Sequence, residues 1–225
     1  MQVERLSRLA RTTLLAAALL FAAVGFLPGH ADAAEPLRGL GTCGDLQPKP
    51  GQYGPYDYRK HPEKAPLVER FHFTPKVESL VGGESSARIG GDIDYTLRAF
   101  PNHPRALYAM TRYGQLHNGA SRVPGALFPI ECYFDRALRF APDDAQVHAL
   151  YADYLIKKER KDDARKQLEA AERLELNPQI EYNLALAWSA LGENEKALAL
   201  AKRAYAGGVQ FPALREQLVR AGVWK

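Results

Sequence analysis

Three alanines in the last third of the chain recur at a single offset: Ala152 as Ala185, Ala164 as Ala197 and Ala171 as Ala204. At the same offset Leu155 is answered by Trp188, and Glu159 by Gly192. A period of roughly 33 residues is far longer than any helical or strand repeat, so it marks a repeated supersecondary unit. Small residues are needed where two helices nearly touch, and large ones fill the spaces between the contacts. Breakers and caps divide the rest of the chain in the same style. Thr74-Pro75 opens a short helix that Gly82-Gly83 closes, and Asp92 caps a segment ending at Phe100-Pro101. Pro104, Pro129, Pro178 and Pro212 each open a helix, and Asp143 with Gln146 forms a capping box. No run alternates with period two, so the expected class is all-α.

Asn183-Leu184-Ala185, Trp188, Gly192, Ala197 and Ala204 resemble, in order and spacing, the small-large pattern of the tetratricopeptide repeat, a helix-turn-helix unit of about 34 residues. Ala152, Ala164, Ala171 and Pro178 supply a second unit, so the best repeats are 145–177 and 178–211. Phe134, Ala137 and Pro142, preceded by Ala106 to Met110, suggest a third, enlarged between His117 and Leu127. A further unit would use Thr74 to Val81 and Leu97 to Pro101. The resemblance covers residues 74–222 and implies a short right-handed solenoid of antiparallel helix pairs, with 212–222 as the helix that caps its last apolar face. It also implies a concave groove lined by the first helices of successive units. The family's groove positions fall on Tyr108, Arg112 and Gln115, on Gln146, Asp153 and Lys157, and on Gln179, Tyr182 and Ser189. Only Asn183 fits the family's carboxylate clamp.

The front of the chain reads as an address. Arg5, Arg8 and Arg11 precede an apolar run from Leu14 to Leu27, followed by Pro28-Gly29 and the small residues Ala31-Asp32-Ala33. This order predicts a signal peptide over 1–33, cleaved after Ala33, because a spanning helix needs about 20 apolar residues and the run falls short. The expected product is periplasmic or secreted, without a stable membrane span. Cys43 lies too far beyond the apolar run, and behind Thr42, to be a lipidation site. Cys43 and Cys132 are the chain's two cysteines, and in an oxidising compartment they are expected to pair, the alternative being two separate buried thiols. Residues 34–73 read as an irregular arm, because six prolines and five glycines interrupt 34–66. Tyr53, Tyr56, Tyr58, Phe71 and Phe73 make that arm too aromatic for a disordered tail. They either pack it onto the helical body or form a stacking platform for a sugar or peptide.

Chemistry is sparse. The net charge of +4 is spread along the chain, which gives no footprint for nucleic acid. No two histidines stand four apart, Cys43 opens neither a haem-attachment sequence nor a redox pair, and no phosphate loop, dinucleotide fingerprint or nucleophile elbow occurs. No cofactor or metal is expected, and no enzyme; a catalytic reading would have to borrow arm residues such as Asp57 and His72. The expected function is a protein-protein interaction module or scaffold in the cell envelope, holding another envelope protein or a partially acidic, extended peptide. The alternative is a structural subunit of an envelope assembly.

Overall fold

The computed structural model describes residues 43–225, so the expected signal peptide (1–33) and the first part of the arm lie outside the described residues. The described residues form helices and connecting turns, with no strand among them. The fold class is all-α. A single 3-10 turn precedes α1 (Ala65–His72), α2 (Pro75–Glu78), α3 (Ile89–Ala99), α4 (Pro104–Leu116) and α5 (Ile130–Phe140). There follow α6 (Ala145–Lys157), α7 (Lys161–Glu172), α8 (Pro178–Ala190), α9 (Asn194–Ala206) and α10 (Ala213–Arg220).

The period of the sequence reappears in the backbone. Arg160 N–H donates to the Leu155 carbonyl at 2.9 Å, and one repeat later Glu193 N–H donates to that of Trp188 at 3.0 Å. Within these turns Glu159 and Gly192 take the left-handed conformation, with φ of 59° and 82°. Helix starts repeat too: Asp144 accepts from Gln146 and Val147 N–H, and at the matching position of the next unit Asn177 accepts from Ile180 N–H. Ala152, Ala164, Ala171, Ala185, Ala197 and Ala204 are all 0% exposed, as are Leu155 and Trp188. Helix α6 packs on α7 and α8 on α9, while α4, α6, α8 and α10 touch in succession.

Several expectations change on the N-terminal side. The arm is not irregular throughout, since α1 lies within it; Pro62 and Pro66 open helical turns at positions where no amide donor is needed. The helix begun by Pro75 ends at Glu78, well before Gly82, because Leu80 turns left-handed (φ 63°) and Val81 N–H closes back on the Lys76 carbonyl. The helix that packs most extensively on α3 from this side is therefore α1 rather than the segment from Thr74. Asp92 does not cap α3. It sits inside the first turn, fully buried, and accepts from Glu84 and Ser86 N–H and from His72 Nδ1. The cap of α6 is Asp144, not Asp143, which is exposed and pairs with Arg59.

The visible arm packs rather than projects. Tyr53, Tyr56 and Tyr58 surround the buried Phe100, and Tyr56 N–H donates to the Ala99 carbonyl at 2.9 Å. Gly54 makes this approach possible: a Cβ there would stand 2.4 Å from the Ala99 oxygen. At the arm's beginning Cys43 and Cys132 form a disulfide, with Cα atoms 5.1 Å apart and 89 residues of separation. By loop-closure entropy such a crosslink contributes about 4 to 5 kcal/mol. It is compatible with an oxidising compartment.

The register makes two opposite predictions. Ala185→Leu should overpack the core and cost about 1 to 3 kcal/mol. Glu159→Gly should raise stability by about 0.5 to 1 kcal/mol, because glycine adopts a left-handed backbone without the steric cost that Glu159 bears. Denaturant unfolding of the two variants beside the parent checks both signs.

Candidate functional site

Helices α4, α6 and α8 together form one groove of about 520 Å³. Ala109, Leu150, Ile156, Leu186 and Ala187 give it apolar surface, while Tyr108, Arg112, Gln146, Asp153, Lys157 and Asn183 give it polar surface. Arg105 and Glu78 close the end nearest α2. Five of the nine sequence-derived groove positions thus meet here: Tyr108, Arg112, Gln146, Asp153 and Lys157.

The other four do not. Gln115 is exposed near the end of α4, away from the lining, and exposed Gln179 touches the site only through Asn183, whose oxygen accepts from Gln179 Nε2 at 3.3 Å. Tyr182 and Ser189 are buried on the side of α8 covered by α10 and the segment before it. Tyr182 packs against Tyr205 and Phe211, and Ser189 Oγ accepts from Gln217 Nε2 at 2.8 Å. Beyond α9, helix α10 occupies positions that a further unit would otherwise meet. Conversely, Leu186 and Ala190, absent from the sequence-derived set, lie one repeat beyond Asp153 and Lys157. The repeat offset itself could have found them.

Charge within the groove is unevenly matched. Lys157 Nζ pairs with Asp153 at 2.6 Å, and Arg105 is shared between Glu69 and Glu78, both at 2.7 Å. Among the described residues no carboxylate lies within 4.0 Å of Arg112. Its guanidinium instead stands 5.8 Å from the centre of the Tyr108 ring, which Lys157 also approaches at 5.9 Å. Two cations on one half-exposed ring, of which only Lys157 has a carboxylate, Asp153, among the described residues, leave a surplus positive charge beside an apolar floor. Such a surface favours an anionic group carried on an apolar or aromatic chain.

The end of the groove nearest α2 rests on a buried imidazole. His103 is 0% exposed and caps α4, its Nδ1 accepting from Ala106 N–H at 3.2 Å, while Nε2 donates to Glu69 Oε1 at 3.0 Å. Both bonds are satisfied by the neutral ring with its proton on Nε2. Burial pushes the His103 pKa below the ordinary value, outweighing the attraction of Glu69. The His103 hydrogen bond, aided by Arg105 and opposed by burial, holds Glu69 down to about 2. Asp57 and His72, the residues a catalytic reading would borrow, belong to separate clusters. Asp57 bonds Arg59 and Asn102, whereas His72 bonds Asp92 and stacks on Tyr95. Among the described residues no group of His, Cys, Asp and Glu could hold a metal ion.

A buried neutral histidine whose pKa is depressed contributes stability fully above its unfolded value of about 6.5, and loses it as pH falls through the lowered folded value. The parent should therefore lose stability as pH falls below about 6.5. In His103→Asn, whose side-chain oxygen can still cap α4, the loss between about pH 6.5 and 5 should shrink; urea titrations at pH 7.5, 6 and 5 compare the two slopes. A lowered Glu69 adds a second loss, from about pH 4.5 to about 2. No family model, curated protein or solved structure matches this chain.

Proposed function

We propose that this chain is a short tetratricopeptide-like solenoid of antiparallel helix pairs, exported by a cleaved signal peptide to the periplasm or beyond. There it works without catalysis, as a module that holds an extended, partially acidic segment of another envelope protein. Support for the repeat reading comes from the periodic recurrence of buried alanines, caps and turn hydrogen bonds. Support for the compartment comes from the Cys43–Cys132 disulfide, and no helix among the described residues is long and apolar enough to cross a membrane.

The observation that carries the binding role is Arg112 on Tyr108, without a carboxylate partner among the described residues, beside the apolar floor of Leu150, Leu186 and Ala187. A glutamate or aspartate side chain of the partner would satisfy Arg112, and flanking apolar side chains would cover the floor. The remaining lining, Gln146 with Asn183 at 3.5 Å, offers amides to a backbone that passes over it.

An array of synthetic peptides with one Glu between leucines, matched to Lys analogues, tests this reading by fluorescence anisotropy. Glu peptides should bind better than their Lys counterparts. Arg112→Ala should weaken them about tenfold, the effect of losing a charge-assisted hydrogen bond. Tyr182→Phe, buried away from the groove, should leave binding unchanged. Equal binding of Glu and Lys peptides, or no effect of Arg112→Ala, rejects the assignment.

A further inference from the structure

The described part of the arm does not enter the groove: no residue from 43 to 64 lines it. It does reach the starts of two helices that do. Arg59 Nη2 donates to Asp57 Oδ2 at 2.9 Å and to Asp143 Oδ1 at 2.7 Å, and Nη1 donates to the Asp143 carbonyl at 3.0 Å. Arg59 Nε lies 3.3 Å from Asp144 Oδ2. One guanidinium thus ties the arm to the α5–α6 turn, which is distant in sequence.

Asn102 completes the tie. Its Nδ2 donates to Asp57 at 2.8 Å and to Asp144 at 2.9 Å, and its Oδ1 accepts from Tyr58 N–H at 2.9 Å. Asp57, Asn102 and Asp144 are all buried. Asn102 stands two positions before α4, and Asp144 caps α6. The first groove residues on these helices are Pro104 and Arg105 on one and Gln146 on the other, each within three positions of the tie.

Without Arg59, two buried carboxylates would face one amide nitrogen, with only the exposed Lys60, 3.7 Å from Asp57, left as a cation and none beside Asp144 among the described residues. Repulsion and incomplete hydrogen bonding would then act between the arm, the α3–α4 turn and the α5–α6 turn. The relief available is for the starts of α4 and α6 to move apart, and that displacement opens the groove at the end where it begins. Helix-helix packing at this end rests on the buried Ala106, Leu107, Ala145 and Val147, and the tie adds to it on the side of Arg105 and Gln146, which stay outside the core.

We propose that Arg59 is a positioning residue: from outside the groove it sets the separation of α4 and α6 at the groove's first end, and through it the affinity for whatever the groove holds. This rests on the groove being the binding surface, as argued above. The arm's described residues act in this as a strut.

The test uses the oxidised full-length mature chain and 1-anilino-8-naphthalenesulfonate, an anionic aromatic probe that matches the surplus cation and apolar floor. Leu186→Asp reports whether the probe sits in the groove. Arg59→Gln is expected to weaken probe binding about fivefold, with Arg59→Lys intermediate because it keeps the charge without the fork. Leu214→Ala, a buried residue of α10, lowers the melting temperature from the far end and should leave probe affinity within about twofold of the parent. If Leu186→Asp has no effect, the groove reading itself fails. If Leu186→Asp weakens binding but Arg59→Gln does not, the positioning role is overturned while the groove stands. Equal weakening by Leu214→Ala reduces the effect to stability and also overturns it. Should Arg59→Gln fail to fold, Asp143→Asn removes only the exposed arm of the tie, and unchanged affinity there overturns the proposal.

Discussion

Everything in the C-terminal half depends on helices coming close enough to touch at alanine. Six alanines spaced by the repeat are fully buried, and in a close-packed interior a larger side chain there would have to displace its neighbours. Because the neighbouring backbones are so close, the larger Leu155 and Trp188 must fill defined gaps between them. Trp188 does so with its ring nitrogen directed to Glu172 and with Lys196 4.0 Å above its face. The same closeness forces short turns, and a left-handed residue is the economical way to reverse a helix in so few positions. Glycine meets that demand at 192. Glu159 meets it with strain, which shows that the packing imposes the turn rather than the reverse.

What was legible in the sequence follows from this constraint. A close contact restricts residue type severely, so Ala152 and Ala185 announce themselves, and the turn at Gly192 is visible for the same reason. Two cysteines have only each other as partners within the chain, and they do pair. Polar residues were harder to place, because several can perform one role and the choice depends on what else approaches. Asp143 and Asp144 are both good caps by type. Asp144 is the one that Asn102, 42 residues away, closes over, whereas Arg59 pairs with both. Tyr182 and Ser189 read as groove residues until α10 is laid against them. Helix α1 was hidden by prolines that interrupt a sequence pattern but sit harmlessly at the first turn of a helix.

The N-terminal half is built on another principle. To an apolar core that includes Val77, Ile93, Leu97 and Met110 it adds buried polar contacts: Asp92 gathers the loop at 84–86, Asp94 accepts from Tyr133, Arg98 and Leu127 N–H, and Asn102 joins two carboxylates. Arg136 is the extreme case. It is buried without a carboxylate partner among the described residues, its Nη1 donates to the Cys43 and Asp45 carbonyls, and its Nε finds no acceptor. Burial pushes its pKa down, and the neighbouring Arg139 adds to that. A segment that must satisfy such a cation with backbone carbonyls has to stay in place, and the disulfide at Cys43 keeps it there. The covalent link thus lies where side-chain pairing is weakest.

The groove crosses the boundary between these two regimes. Helices α6 and α8 belong to the alanine-packed repeat, whose spacing is fixed by steric contact and changes little short of unfolding. Helix α4 joins the same core through Ala106, Leu107, Ala109 and Met110, and His103, Glu69, Arg105 and Asn102 hold its first turn in addition. Steric contacts resist compression at short range and are indifferent to protons. Hydrogen-bonded ion pairs are directional, and their strength follows protonation and salt. The two sides of one groove are therefore held differently: α6 and α8 meet through steric contact at alanine, whereas the start of α4 is held by apolar packing together with hydrogen bonds and ion pairs, of which those of Glu69 and Arg105 are partly exposed. Arg112 and Tyr108, which carry the surplus charge, ride on α4.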